Sequence, residues 1–273
     1  MDFLTYGGIY REVYLKRVPA IYIQDVFVHT ANVLEEEKQL YADVKLSKLD
    51  TGMSLQCTVI NQEGRVVRTI VTQYLNEVPA SVQIPMKDVA LWDIDNPYLY
   101  TLNVMLLQDG HIMDESNVRF GFREAVFKSD GFYLNGKRLK LRGLNRQQSF
   151  ESVGYAMPKS MQEQDAVILK EELGVNCVRT SYYPQSRHFL NKCDELGLIV
   201  VTEIPGWGYV SEDATWRGLI LQQIEEMIIR DRNHPSIVLW STRINESPDC
   251  DELYELTLSL IHISEPTRPI SIS

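Results

Sequence analysis

The hydrophobic pattern of the chain changes near residue 122, and this change constrains the possible fold more than any other sequence feature. Before that point, short β-branched runs alternate apolar with polar residues and are separated by turn residues. Residues 55–60 and 66–71 are two such runs, and the Asp109-Gly110 pair is a hairpin signal. About seven short strands in roughly 100 residues predict an immunoglobulin-like β-sandwich over residues 21–122.

Strands and helices alternate after residue 122. The pattern predicts strands at 138–143, 175–180, 198–201 and 236–240, and helices at 159–173, 186–196 and 213–231. Ala166, Leu169 and Leu173 are expected to form the buried face of the first helix, and Gly174 and Gly197 are expected to end the first two. Short connections between alternating strands and helices are typical of βαβ units in a parallel sheet.

Polar residues follow the four expected parallel strands, at the point where each strand ends. They are Asn145-Arg146-Gln147, Ser181-Tyr182-Tyr183, Glu203 and Asn245-Glu246. A (β/α)8 barrel builds its active site at that edge, whereas an open doubly wound sheet binds ligands only at a switch point. Polar ends on four consecutive strands therefore favour the first half of a TIM barrel over residues 123–257.

Composition argues against several classes of function. A net charge of −10 leaves no surplus of lysine or arginine to neutralise nucleic-acid phosphates. No stretch approaches the roughly 18 apolar residues of a membrane helix. The four cysteines have no metal-ligand spacing with the histidines, and no glycine-rich nucleotide loop follows a strand. The sequence therefore predicts no nucleic-acid partner, no membrane partner, no metal and no cofactor.

A carboxylate beside an amide, as in Asn245-Glu246, suits the cleavage of sugars. A protonated Glu can donate to the leaving glycosidic oxygen while the amide binds a ring hydroxyl, although such a pair is also common in solvated loops. Glu203 is open to two interpretations, a substrate ligand or a structural partner of Arg179. Trp207 can stack on a sugar face.

Several motifs resemble glycoside hydrolase family two, the β-galactosidase/β-glucuronidase type. The matching segments are Gly7-Gly8-Ile9-Tyr10-Arg11, Asn96-Pro97-Tyr98-Leu99-Tyr100, Arg119-Phe120-Gly121-Phe122-Arg123, residues 132–137 and 141–146, residues 176–184 with Asp194 and Gly197, and Asn233-His234-Pro235-Ser236 with Trp240 and Asn245-Glu246. The resemblance covers nearly the whole chain. It implies that residues 1–20 are the end of an N-terminal jelly-roll sugar-binding domain and that the chain is a fragment of a longer enzyme.

The resemblance also implies a retaining β-glycosidase acting on a β-linked sugar or oligosaccharide. Glu246 matches the general acid/base, Asn245 matches the residue that holds the sugar 2-hydroxyl, and Asn145 and Tyr182 match substrate-pocket positions. Together with Glu203 and Trp207, which the strand-end pattern singles out, these are the expected substrate-binding residues. Arg179 matches a buried arginine that supports the pocket. A retaining enzyme needs a second carboxylate roughly 5–5.5 Å from the first. In the family this nucleophile comes from a later strand, so the resemblance implies that it is absent from this chain and that the fragment alone is inactive.

This sequence departs from the family at a few positions. Gln147 and Tyr182 stand where the family usually has His, and residues 204–209 lack the metal ligands of the magnesium-dependent members. The leading interpretation is a β-galactosidase. A β-glucuronidase is the alternative suggested by Pro205-Gly206, and a non-catalytic carbohydrate-binding relative is the alternative suggested by the altered pocket. The resemblance leaves open a homo-oligomeric parent enzyme and a cytoplasmic or periplasmic location in a bacterium.

Residues 258–273 form a separate case. The run from Leu258 to Arg268 resembles the translation of a transposase sequencing adapter. We therefore expect residues 258–273 to be a non-native tail and the native sequence to end near residue 257.

Overall fold

A computed structural model describes residues 8–204, 208–241 and 247–261. The chain divides into two compact units. The sandwich unit contains Leu15–Lys140 together with Asn233–Pro235. The half-barrel unit contains Met1–Tyr14, Leu141–Arg232 and Ser236–Ser273.

Seven strands form the two sheets of the sandwich. They are β1 (Ile23–Ala31), β2 (Lys38–Leu46), β3 (Met53–Ile60), β4 (Val66–Val71), β5 (Ala80–Met86), β6 (Tyr100–Gln108) and β7 (His111–Phe120). One sheet has the order β1-β2-β5 and the other the order β4-β3-β6-β7, with antiparallel neighbours throughout. The predicted immunoglobulin-like sandwich is confirmed.

Alternation along the strands explains the core of the sandwich. In β2, Leu40, Ala42 and Val44 are fully buried while the residues between them are partly exposed. At the start of β6, the Tyr100 hydroxyl accepts a hydrogen bond from the backbone N–H of Ala90 at 2.9 Å. A tyrosine at this place, bonded to backbone upstream, is a recurrent feature of immunoglobulin-like folds.

A three-stranded antiparallel sheet follows the sandwich strands. Its strands are β8 (Ala125–Lys128), β9 (Gly131–Leu134) and β10 (Lys137–Leu139). Asn135 and Gly136 both have positive φ and turn the chain back from β9 to β10. The single strand expected at 138–143 is therefore wrong, because the turn pairs residues 137–139 with β9 and the parallel sheet begins only at Gly143.

The half-barrel unit contains four parallel strands in sequential order. They are β11 (Gly143–Arg146), β12 (Cys177–Thr180), β13 (Ile199–Glu203) and β14 (Ile237–Ser241). The helices are α1 (Lys159–Val167), which continues into a π-helical turn (Ile168–Glu172), α2 (Arg187–Leu196), α3 (Ala214–Asp231) and α4 (Asp251–Ile261). This arrangement is the start of a TIM barrel, as predicted.

Helix α2 begins at a residue whose side chain caps it and ends at a glycine in the left-handed conformation. Ser186 accepts the N–H of His188 before α2, and Gly197 ends that helix with φ 66°.

The buried face expected for the first helix is wrong at Leu173, which is 55% exposed. The π-helical turn adds a residue, so that the N–H of Leu173 bonds to the carbonyl of Ile168, and this rotates the side chain away from the core.

The end of the described chain bears on the expected tail. Residues 258–261 continue α4, and residues 262–273 lie outside the described residues. The adapter origin of the tail therefore stays a prediction. None of the described helices is long and apolar enough to cross a membrane.

Candidate active site

The candidate site lies at the carboxyl-terminal edge of the parallel sheet. Val178 and Val200 pack on the helix side, so alternation directs Arg179 to the opposite face. Asn145 is in register with Arg179 on the neighbouring strand and shares that face. Asn145 is exposed and lies within β11, and the expectation that it follows the first strand is wrong because that strand runs to Arg146.

Arg179 and Glu203 form an ion pair at this edge. The Nε atom of Arg179 lies 2.5 Å from the Oε1 atom of Glu203, which is 1% exposed, while Arg179 is 31% exposed. A buried carboxylate is costly to ionise unless a cation and hydrogen bonds compensate its lost hydration. The pair therefore places the Nε side of the Arg179 guanidinium against Glu203, as the structural interpretation of Glu203 requires. The substrate-binding role of Glu203 stays a prediction.

Tyr182 lies beside this ion pair. Its ring centroid is 5.9 Å from the Cζ atom of Arg179, and the side chain is half-buried. The Ser181-Tyr182 peptide bond is cis, and the N–H of Ser181 continues the ladder to the carbonyl of Arg146. The structure thus brings Tyr182, Arg179 and Glu203 together next to Asn145.

Three predicted site residues cannot be placed. Trp207, Asn245 and Glu246 lie outside the described residues, so their roles stay predictions. The last residue of β14, Ser241, pairs in register with Glu203, and Glu246 follows it by five residues in the sequence.

A buried arginine network that the sequence did not predict lies beneath the site. Arg146 is 5% exposed and donates to Asp165 at 2.7 and 2.9 Å and to Gln162 at 2.8 Å. It also donates to the side chain of Gln185, and its guanidinium lies 4.0 Å from the ring centroid of Phe189. Burial lowers the pKa of Arg146, and the Asp165 carboxylate acts in the opposite direction. The network joins the end of β11 to the segment after β12.

The loops after β11 and β12 are also joined through Gln148. Its backbone N–H donates to the Tyr183 hydroxyl at 2.8 Å, and its side-chain oxygen accepts the N–H of Ser186 at 2.9 Å. Burial raises the pKa of Tyr183, so the hydroxyl stays protonated at neutral pH. Gln147, one of the departures from the family pattern, is exposed beside this connection.

Part of the motif that resembles the acid/base signature serves the sandwich unit. The side chain of Asn233 accepts the N–H of Val28 at 2.8 Å and donates to the carbonyl of Val26 at 2.9 Å. The carbonyl of Pro235 accepts from the Nε atom of Arg123 at 2.5 Å. Asn233 and Pro235 are therefore structural residues.

The described ranges offer no clear metal centre. Within residues 8–204, 208–241 and 247–261, no three His, Cys, Asp or Glu side chains are grouped to hold an ion. Over the same residues, Cys57, Cys177 and Cys193 are buried free thiols.

Comparison with known proteins agrees with this architecture. The family model described as glycosyl hydrolases family 2, TIM barrel domain, matches residues 125–273. A second model, described as glycosyl hydrolases family 2, matches residues 21–123.

Two relatives and one solved structure illustrate the similarity. A β-galactosidase of Thermoanaerobacterium thermosulfurigenes is 49% identical over 275 residues, covering 98% of this chain and 38% of that protein. A putative β-glucuronidase of Formosa agariphila is 36% identical over 242 residues, covering 88% of this chain and 29% of that protein. The apo structure of Bacteroides uniformis β-glucuronidase 3 has a TM-score of 0.83 and 31% identity, covering 98% of this chain and 35% of that one. The chain thus spans well under half the length of these relatives.

Proposed function

Because the chain belongs to glycosyl hydrolases family 2, we propose that it is part of an enzyme that hydrolyses terminal β-glycosidic bonds with retention. The observation that supports this best is the grouping of Asn145, Arg179, Tyr182 and Glu203 at the carboxyl-terminal edge of the parallel sheet. Barrel enzymes place substrate and catalytic groups at that edge.

In the proposed mechanism, Glu246 acts first as an acid and then as a base. Its proton passes to the glycosidic oxygen as the bond from that oxygen to the anomeric carbon breaks. A carboxylate from outside this chain attacks the anomeric carbon and forms a glycosyl ester. Glu246, now ionised, takes a proton from water while the water oxygen attacks the same carbon and releases the carboxylate. Asn245 holds the 2-hydroxyl group of the sugar.

We further propose a β-galactoside as the substrate. The 49% identity to a β-galactosidase supports this choice. The charge balance of the edge supports it as well, because the positive charge of Arg179 is matched by Glu203 at 2.5 Å. A glucuronide would bring its own carboxylate and would gain little from a cation that is already neutralised.

A β-glucuronide is the second candidate for the substrate. Its support comes from relatives that are named β-glucuronidases. A non-catalytic carbohydrate-binding protein is the third reading, supported by Gln147 and Tyr182 standing where the family usually has His.

A chimera supplies the parts of the enzyme that this chain does not contain. Residues 1–257 replace the matched stretch of the Thermoanaerobacterium thermosulfurigenes β-galactosidase, and turnover of 4-nitrophenyl β-galactoside and β-glucuronide is measured. We expect the galactoside to be the better substrate by kcat/KM. A preference for the glucuronide would favour the second candidate. A folded chimera that binds galactose without turning over either glycoside would favour the binding protein.

The role of Glu246 is tested in the same chimera. Glu246→Gln should lower kcat by about 10²–10⁴-fold, since it removes the group that transfers protons. Glu225→Gln, at an exposed position of α3, is the matched control and should leave kcat unchanged. With Glu246→Ala, added azide should restore release of 4-nitrophenol, because azide attacks the glycosyl ester without needing a base. Full activity of the Gln variant would refute the assignment.

A further inference from the structure

We propose that residues 10–12, called here the Arg11 segment, hold the loop after β12 in place, and that Arg11 is a positioning residue for substrate binding at Tyr182. The inference rests on the proposed function, because it takes Tyr182 as part of the substrate pocket. The loop in question, residues 181–186, joins β12 to α2 and follows the Arg11 segment by about 170 positions in the sequence.

Arg11 contacts the backbone of this loop directly. Its Nη2 atom donates to the carbonyl of Pro184 at 2.6 Å, and its Nη1 atom lies 3.5 Å from the carbonyl of Gln185. Arg230 of α3 donates to the same Gln185 carbonyl at 3.0 Å. Hydrogen bonds from a charged donor are about twice as strong as neutral ones, so two guanidinium groups define the position of this short stretch of backbone.

Placing Arg11 here costs free energy. Burial lowers the pKa of Arg11, and the positive charge of Arg230 lowers it further. The Nε atom of Arg11 is buried and has no hydrogen-bond partner among the described residues. Asp231 accepts two hydrogen bonds from Arg230, at 2.5 and 2.7 Å, and so reduces the repulsion between the two cations. Because Arg11 is half-buried in spite of this cost, we take its role to be the ordering of the loop backbone that it binds.

The residues on either side of Arg11 contact the surroundings of the same loop. The ring centroids of Tyr10 and Tyr155 lie 5.8 Å apart in a T-shaped contact, and those of Tyr155 and Tyr183 of the loop lie 5.4 Å apart. Glu12 lies 2.9 Å from the ring of His188 in the first turn of α2. Tyr10 thus contacts an aromatic residue that packs on the loop, Arg11 contacts the loop carbonyls, and Glu12 contacts the helix that follows the loop.

The position of this loop sets the position of Tyr182. Tyr182 precedes the Arg11-bound carbonyls by two and three residues, and its ring lies beside Arg179 at the sheet edge. A small displacement of the loop moves the ring, whereas Glu246 is carried by a different segment after β14. Loss of Arg11 should therefore weaken substrate binding more than it slows the chemical step.

The first measurement is hydrogen–deuterium exchange of the full 273-residue chain without substrate. Arg11→Ala should speed exchange within residues 181–188 by about tenfold, the effect expected from losing one or two charged hydrogen bonds. Arg17→Ala is the matched control, since Arg17 is exposed in the same stretch and its loss changes the charge equally. Arg11→Lys keeps the charge and should restore part of the protection, which keeps the test informative if Arg11→Ala does not fold. Unchanged exchange in both Arg11 variants would overturn the inference.

The second measurement uses the chimera described above. Arg11→Ala should raise KM for the aryl galactoside about tenfold and change kcat by less than about threefold, with Arg11→Lys in between. A fall in kcat with unchanged KM would overturn the positioning role. If the unmodified chimera is inactive while exchange of the loop still depends on Arg11, the proposed function fails and the loop contact stands. If the chimera is active and Arg11→Ala matches it in KM, the inference fails and the proposed function stands.

Discussion

Replacing Tyr100 with Phe removes a single oxygen from the sandwich unit and should lower its free energy of unfolding by about 1 kcal/mol at neutral pH. The lost group accepts the N–H of Ala90 at 2.9 Å. An unsatisfied buried donor costs about 1–3 kcal/mol, and Ala90 is only half-buried, so partial hydration places the loss at the lower end. The ring contacts with Phe120 and Phe122, at 5.8 and 5.3 Å, remain in the variant.

The same substitution should become stabilising at high pH. Burial raises the pKa of Tyr100 from 10.0 to about 12. The folded protein therefore keeps this proton at pH values where the unfolded chain loses it. The resulting stabilisation is complete below about pH 10 and is lost as the pH rises through 12. At about pH 11.5 the loss amounts to about 2 kcal/mol, which exceeds the cost of removing the hydroxyl. The difference between Tyr and Phe should then change sign.

Pulsed thiol labelling in urea measures this difference in the sandwich unit alone. Cys57 is the cysteine of residues 15–140 and is fully buried, so an alkylating agent reaches it only when the unit opens. Tyr98→Phe is the control, since this side chain bonds to the exposed Glu63, and its effect should stay within about 0.5 kcal/mol. A Tyr100→Phe effect that is constant between neutral pH and about pH 11.5 would refute the reasoning.

Three further predictions concern the half-barrel unit. Gly143→Ala should prevent β11 from pairing with β12, because the added Cβ would overlap the carbonyl of Cys177. Gly218→Ala on α3 is the control and should stabilise the unit by up to about 1 kcal/mol. Circular dichroism and urea titration measure both effects. At about pH 8, alkylation followed by mass spectrometry should modify Cys250 much faster than Cys177, whose pKa burial raises to about 11; equal rates would contradict the packing of β12. Asp194→Ala should cost about 2–4 kcal/mol in urea unfolding, since it removes two buried hydrogen bonds at the start of β14, and a loss below about 0.5 kcal/mol would contradict this.

The strands and helices could be predicted from sequence where the hydrophobic pattern repeats over a few neighbouring residues. The strand expected at 55–60 lies within β3, and the helix expected at 213–231 matches α3, because alternation and helical spacing act over a few positions. The strand expected at 138–143 failed because the turn at Asn135-Gly136 pairs its first half with β9. The prediction that Leu173 is buried was wrong because a π-helical turn rotates the residues that follow it, and the hydrophobic spacing does not reveal such a turn.

The candidate site was predictable in part for a similar reason. Tyr182 and Glu203 were found because a residue at a strand end must lie at the edge of the sheet, wherever the strand packs. The buried network of Arg146 and the contact of Arg11 with the loop were not predicted, because their partners are distant in sequence. Arg11 bonds to a carbonyl 173 positions away, and a lone arginine carries no local signal of such a contact.

The division of the sandwich unit into two stretches of sequence has a consequence for the exchange of modules between genes. Residues 233–235 are encoded between α3 and β14 but belong with residues 15–140. A crossover at codon 140 would carry Val26 and Val28 into a new gene and leave behind the Asn233 side chain that bonds to both. Recombinants should therefore keep a stable sandwich when the recipient gene already encodes an asparagine at that place, so that compatibility depends on a codon far from the crossover.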